Sequence, residues 1–239
     1  MKIRTALRRA LLAASVALSA LPVAHASLIG TGYSGVGAEP VSVTAPSIST
    51  NAGSFVGTWN GLPITFWCFE LTEYFYFNVE YTDYTEAPLT GYPDVARLFQ
   101  AAGGTAGVTS SLLNSVAFQL ALWEIRYETL KSNNVPVYNL TSGAATSGSF
   151  YATAGDAAAI SLANTWLHNL PSTSTYSVSL LHSGPPGNEQ DFVVETPPPS
   201  RITASADWAA RACGATAMPR VPWIELNMEN LDKWKVPGF

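Results

Sequence analysis

Asn60-Gly61 stands between two β-prone runs, Ser54-Phe55-Val56-Gly57-Thr58-Trp59 and the apolar stretch 62–71. Both residues of that dipeptide tolerate positive φ, which suits the two-residue turn whose twist matches paired antiparallel strands. The spacing therefore predicts a hairpin and commits the N-terminal third of the chain to a sheet. Cys68 falls on the second strand of that hairpin, in Ile64-Thr65-Phe66-Trp67-Cys68-Phe69-Glu70-Leu71. A period of two places it on one face with Phe66 and Glu70, opposite Trp67 and Phe69.

Around the hairpin the pattern alternates between strand and helix signals. Residues 27–37 are rich in Gly and Ser and read as irregular, whereas residues 40–50 alternate through Val41, Val43 and Ile48 and read as a strand. The aromatic run 74–81 reads as another strand. The character changes at Gly91. Pro93 suits a first helical position and Gly103-Gly104 a stop, which gives a short helix over 93–102. Ser110 or Ser111 caps a longer helix running to about Lys131. A third helix extends from about Asp156 to Asn169, with Asp156 as its cap and Pro171 beyond its end. Two strand-like runs follow, 175–182 and 189–195. The predicted class is α+β, with a mostly helical insertion at about residues 91–170 between β-rich segments.

Residues 1–26 read as a secretory signal peptide: Lys2, Arg4, Arg8 and Arg9, then the apolar run 10–23, then Ala24-His25-Ala26. The apolar run is short for a membrane span. Export leaves eight Lys and Arg against 17 Asp and Glu, a balance of −9. That charge argues against nucleic-acid binding, which needs a basic footprint, and against electrostatic binding to a membrane surface. Only two cysteines occur, Cys68 and Cys213, so packing rather than a disulfide framework carries the fold. No Cys/His spacing suits zinc, and no phosphate-binding or nucleophile-elbow motif is present. Neither a metal nor a cofactor is expected.

Chemistry narrows to two side chains. Gln119 lies in Val116-Ala117-Phe118-Gln119-Leu120-Ala121-Leu122-Trp123-Glu124-Ile125, the strongest helical segment of the chain. At 100° per residue it shares a broad face with Leu112, Ser115, Val116, Trp123 and Arg126. A glutamine there must find hydrogen bonds or lose roughly 1–3 kcal/mol. Either it caps a sheet edge or loop carbonyl, or its carbonyl carbon is an electrophile held beside a thiol. Cys68 is likewise either a small buried apolar residue or a nucleophile that needs its target positioned and water excluded.

The strand Trp67-Cys68-Phe69-Glu70-Leu71 and the helix 116–128 resemble the paired motifs of Gram-positive thioester-domain adhesins, an aromatic-Cys strand and a hydrophobic helix carrying Gln and Trp. With Gln190-Asp191-Phe192, the chain is also similar to exported Gram-negative PEP-CTERM proteins, which place such a patch before their sorting tail. The resemblance spans residues 41–194, and its specific part is these three patches. It implies an antiparallel β-sandwich or barrel with a helical insertion over 27–195. It also implies an internal Cys68–Gln119 thioester, shielded by Trp67, Phe118 and Trp123, that captures an amine on a surface or matrix macromolecule. Such a protein is a self-modifying binder rather than an enzyme.

Two other functions are expected to compete with it. One is a non-covalent structural or matrix protein in which Cys68 and Gln119 only pack and hydrogen-bond. The other is a cysteine hydrolase or transglutaminase-like enzyme using Cys68 with His168 or His182, although both histidines read as solvated or cap residues. Glu70, Glu73 and Glu80 read as the wet face of a strand rather than as a glycosidase pair. Past residue 195 the chain departs from the sorting-tail pattern. Pro197-Pro198-Pro199 stands in place of Pro-Glu-Pro and no apolar span follows, so residues 196–239 read as a linker and poorly ordered tail, displaced by a frameshift or recombination. A Cys68–Cys213 disulfide would consume the same sulfur as the thioester.

Overall fold

The structure, a computed structural model, describes residues 26–196 apart from 130, 134, 143–147 and 185–188. The chain divides after Pro198, and the segment read as a signal peptide, Cys213 and the segment read as a tail lie outside the described residues, save for Ala26 and Thr196.

The core is an antiparallel sheet of eight strands that is nearly closed into a barrel. Strand β1 (Leu28–Val43) pairs with β2 (Ile48–Trp59), which turns through Asn60 and Gly61 into β3 (Leu62–Cys68). Both turn residues have positive φ, 53° and 77°, as the hairpin requires. The order continues from β3 to β10 (Phe192–Thr196), β9 (Ser177–Ser183) and β5 (Tyr84–Pro88). On the far side of β1 lie β4 (Glu80–Tyr81) and β8 (Ala152–Ala154), and β6 (Lys131–Ser132) and β7 (Val135–Pro136) form a separate ribbon. This is the α+β architecture expected from the order of sequence signals.

The helices α1 (Pro93–Ala102), α2 (Gly104–Val108), α3 (Leu112–Tyr127) and α4 (Ala157–His168) interrupt the strands. Ser111 caps α3 by accepting from the Asn114 N–H, and Asp156 caps α4 by accepting from Ala158. The long helix ends at Tyr127, short of Lys131, which belongs to the β6–β7 ribbon. Eleven consecutive residues of α3, Ser115 to Ile125, are buried. A helix covered on all sides shows little amphipathic pattern, which fits its near-continuous apolar sequence.

Two further expectations are corrected. Residues 28–37 belong to β1 rather than to an irregular lead-in. Glycine on the β2 side permits the close approach of the two strands: a Cβ on Gly57 would lie 2.0 Å from the Ile29 carbonyl oxygen. The aromatic run 74–81 is mostly a strap across the sheet end, with only β4 at its close. Phe75 and Phe77 pack into an aromatic cluster instead of alternating along a paired strand.

Two apolar clusters result. The larger joins Trp67, Phe69 and Val193 to Phe99, Phe118 and the rest of the helical layer. The smaller lies on the opposite face of the strands and contains Phe55, Phe66, Tyr84, Leu181 and Phe192. Cys68 borders both.

Candidate functional site

Strand β3 pairs with β2 only as far as Phe66 opposite Phe55, and β1 explains where that pairing stops. Between Tyr33, opposite Phe55, and Ala38, opposite Gly53, β1 inserts four residues that have no partner in β2. At this break Ser54 of β2 turns to the helix. Its N–H donates to the Ser115 hydroxyl at 2.8 Å, its own hydroxyl lies 2.5 Å from Ser115 Oγ, and Ser34 adds a third hydroxyl at 3.4 Å.

On its other side β3 stays paired. Cys68 is opposite Phe192, and the Phe69 N–H donates to the Asp191 carbonyl at 2.9 Å. Successive strand residues direct their main-chain groups to alternate edges, so those of Cys68 face the edge that β2 has left. Gln119 closes that edge. Its Oε1 accepts from the Cys68 N–H at 3.1 Å and its Nε2 donates to the Cys68 carbonyl at 2.8 Å. The carboxamide thus takes the place of a peptide group in a neighbouring strand, across 51 residues of sequence.

The C-terminal turn of α3 makes two more ties, to the residues that follow β3. Arg126 Nη2 contacts Glu70 Oε1 at 3.1 Å, and the Tyr127 hydroxyl accepts from the Leu71 N–H at 2.8 Å. Ser115, Gln119 and Arg126 lie within about 40° of one another around a helix of 100° per residue, so one stripe of α3 sews it to the sheet.

The side predicted to exclude water is dry. Trp67 and Phe118 are fully buried with ring centroids 5.1 Å apart, and Phe99 packs on both. Trp123 is also buried, one turn beyond Gln119, and neither tryptophan indole N–H has a hydrogen-bond partner among the described residues.

The Cys68 side chain belongs to the opposite face. Its pairing partner Phe192 and its strand neighbour Phe66 both lie in the smaller cluster. Burial pushes the thiol well above its ordinary pKa. Tyr33 is near enough for a Cys68 charge to act on it: burial raises the phenol, a hydrogen bond with Asn51 lowers it, and Cys68 raises it further.

The strand register separates Cys68 from His182. Phe192 pairs with both Cys68 and Leu181, so these three share a face and His182 points to the other. His182 is not merely solvated, however. Its Nδ1 lies 2.8 and 2.9 Å from the two Asp191 carboxylate oxygens, a tie that spacing alone did not reveal. His168 sits at the end of α4 with Nε2 2.8 Å from the Tyr138 carbonyl.

Just beyond Cys68, oxygens of Glu70, Glu73 and Asp191 lie within 4.8 Å of one another. Arg126 and His182 already offset this charge, and we assign no metal to it. Burial, then the hydrogen bond and charge of Glu70, push the Glu73 carboxyl up to about 7. Glu70, Glu73 and Asp191 thus form a close carboxyl cluster rather than the separate, solvated acids of a strand's wet face. Glu80 stands apart, accepting from the Ser27 hydroxyl at 2.7 Å.

The three sequence patches thus meet in one place. Cys68 and Glu70 come from β3 and the residues after it, Gln119 and Arg126 from α3, and Asp191 and Phe192 from the start of β10. No family model matches the chain, and neither a curated protein nor a solved structure matches it.

Proposed function

We propose that the chain is an exported adhesive protein whose Cys68 and Gln119 form an internal thioester that captures an amine of a surface or matrix macromolecule. The observation that carries this reading is the double hydrogen bond that holds the Gln119 carboxamide against Cys68 itself. The acyl group is held at the main chain of the residue that bears the sulfur, which removes part of the orientational cost of the reaction.

The chemistry follows from the same two contacts. The Cys68 N–H, donating to Oε1, polarises the carbonyl and favours the negative charge that builds there when sulfur adds. The Cys68 carbonyl holds the nitrogen that must leave. Sulfur bonds to Cδ, the Cδ–Nε2 bond breaks, and the thiol proton departs with the nitrogen as ammonia. A partner amine then adds to the same carbon, forming an amide and returning the thiol. The raised thiol pKa opposes the first step, because the neutral thiol is the weaker nucleophile. Forming the thioester also forfeits the 2.8 Å bond from Nε2. Trp67 and Phe118 restrict water on the helix side, which protects an acyl group from hydrolysis.

A second reading rests on the same contacts. A carboxamide that satisfies both main-chain groups of an orphaned strand edge is already explained as a clamp, and the chain is then a non-covalent structural protein. Intact mass of freshly prepared protein separates the two. The thioester reading expects a species one ammonia lighter than the sequence, shifted by methylamine to an adduct with a free Cys68 thiol. Full sequence mass with freely alkylated Cys68 sinks it and leaves the clamp.

A further inference from the structure

Residues 72–79 run from the end of β3 to β4 across the smaller aromatic cluster. Phe75 reaches Phe192 at 4.7 Å and Tyr81 at 4.9 Å between ring centroids. Tyr74 and Tyr76 face outward, 72% and 66% exposed. The strap covers the strand face on which Phe66, Phe192 and Cys68 lie.

Its two halves are held differently. The far half has neutral anchors: the Tyr76 N–H donates to the Tyr81 hydroxyl at 2.9 Å and the Asn78 N–H to the Gly30 carbonyl at 2.7 Å. The near half is held by the Gln190 N–H donating to the Tyr74 carbonyl at 3.1 Å and by a bridge from Tyr74 to Glu189. Beside that bridge stands the carboxylate cluster, with Glu73 contributed by the strap itself.

We propose that residues 72–79 form a proton-held strap, closed while Glu73 keeps a proton against the Glu70 and Asp191 carboxylates beside a charged His182, and loosened at Tyr74 when Glu73 and His182 both lose their protons. Geometry sets the count. With the proton on Glu73, two carboxylate charges face Arg126 and a protonated His182, and the charges of these five side chains balance. Once Glu73 ionises and His182 becomes neutral, three carboxylate charges within 4.8 Å face Arg126 alone. Like charges at that spacing repel strongly where burial limits screening.

The surrounding groups relieve this repulsion only in part, chiefly through the Asp191 N–H, which favours the charged form of Glu73. From α3 come Arg126 and the neutral Tyr127 hydroxyl, already used by the Leu71 N–H. From β9 comes His182, with the Ser183 N–H donating to Asp191 at 3.1 Å. The segment before β10 adds Glu189, another acid. The Tyr84 hydroxyl, near Asp83, is committed to the Gln190 carbonyl at 2.6 Å.

Both titrations act in the same direction. Glu73 holds its proton above the ordinary carboxylate range, so closure is weakened as pH rises toward about 7. Asp191 raises the His182 pKa, with burial opposing, so the cation's contribution is present in mild acid and lost as pH rises past that raised value.

Native-state hydrogen exchange on the intact protein tests the strap. After correction for intrinsic rates, exchange of the Gln190 amide should quicken at least about tenfold between pH 6 and pH 8.5, one pKa unit of weakened closure being tenfold. The Val193 amide, inside β10, serves as internal reference and should change far less. In Glu73→Gln, which keeps a donor toward Glu70 and cannot ionise, the Gln190 acceleration should shrink to less than about twofold. Equal acceleration of Gln190 and Val193 in the wild type, no acceleration, or an unchanged profile in the variant overturns the proposal. The readout does not depend on a thioester, so its failure is separable from that of the amine-capture reading.

Discussion

Gln119 holds Cys68 by its main chain, with Oε1 on the N–H at 3.1 Å and Nε2 on the carbonyl at 2.8 Å. The residue that would supply the acyl group is therefore also the cap of the strand edge that carries the sulfur. Any substitution at Gln119 tests a chemical role and a structural one at once, and the two separate only when stability and mass are read together.

Gln119→Ala strands two part-buried main-chain groups, each worth up to roughly 1–3 kcal/mol when left without a partner. The variant should unfold at clearly lower denaturant concentration than the wild type, with an unchanged slope, and should incorporate no methylamine. Methylamine uptake equal to that of wild type would remove Gln119 from the chemistry. Wild-type stability would remove the clamp.

The hydroxyl pair one turn earlier makes the companion case. Ser115 accepts from the Ser54 N–H and touches its hydroxyl, fixing α3 to β2 where β2 leaves β3. Ser115→Ala should cost about 1–3 kcal/mol, because the Ser54 N–H is left buried and unpaired. Its combination with Gln119→Ala should be non-additive by roughly 0.5 kcal/mol or more, since both ties locate the same stretch of helix. Strict additivity in urea unfolding would show that the two contacts act independently.

These contacts show what the sequence made legible and what it hid. Asn60-Gly61, Ser111 and Asp156 are local signals, and each does in the structure what its chemistry predicts, because a turn or cap involves only a few neighbouring residues. Ser115, Gln119 and Arg126 were visible as one helix face, since periodicity is also local. Their partners Ser54, the Cys68 main chain and Glu70 were not, because they depend on where β2 leaves β3. That departure follows from four unpaired residues in β1, and nothing in the composition of 34–37 announces it. Residues 28–37 escaped notice as a strand because glycine contributes no alternating side chains, although it is what lets β1 and β2 approach. The aromatic strap misled for the opposite reason: residues 74–81 have strand propensity, but Phe75 and Phe77 are spent on a cluster rather than on pairing. Asp191 carried a signal only through its patch, and His182 none until the register of β9 against β10 placed it beside that carboxylate.

The buried acid of α3 gives the last expectation. Glu124 is fully buried, with Oε1 accepting from the Asn139 N–H at 2.6 Å and Oε2 without a hydrogen-bond partner among the described residues. Burial pushes its carboxyl up to about 8, the Asn139 N–H pulls it down, and the charge of Glu128 adds to the rise. The folded protein therefore takes up a proton that the unfolded chain releases near the ordinary carboxylate value. The stabilising contribution of that proton is complete below the unfolded value, declines as pH rises, and is lost above about 8. Stability should accordingly fall between pH 5 and pH 9. Glu124→Gln keeps an acceptor for Asn139 and cannot ionise, so its unfolding midpoint should vary much less over that interval and should exceed the wild type's on the alkaline side. Parallel pH profiles for the two proteins would place the wild type's alkaline loss elsewhere, in the Glu73 and His182 cluster or in the unfolded chain.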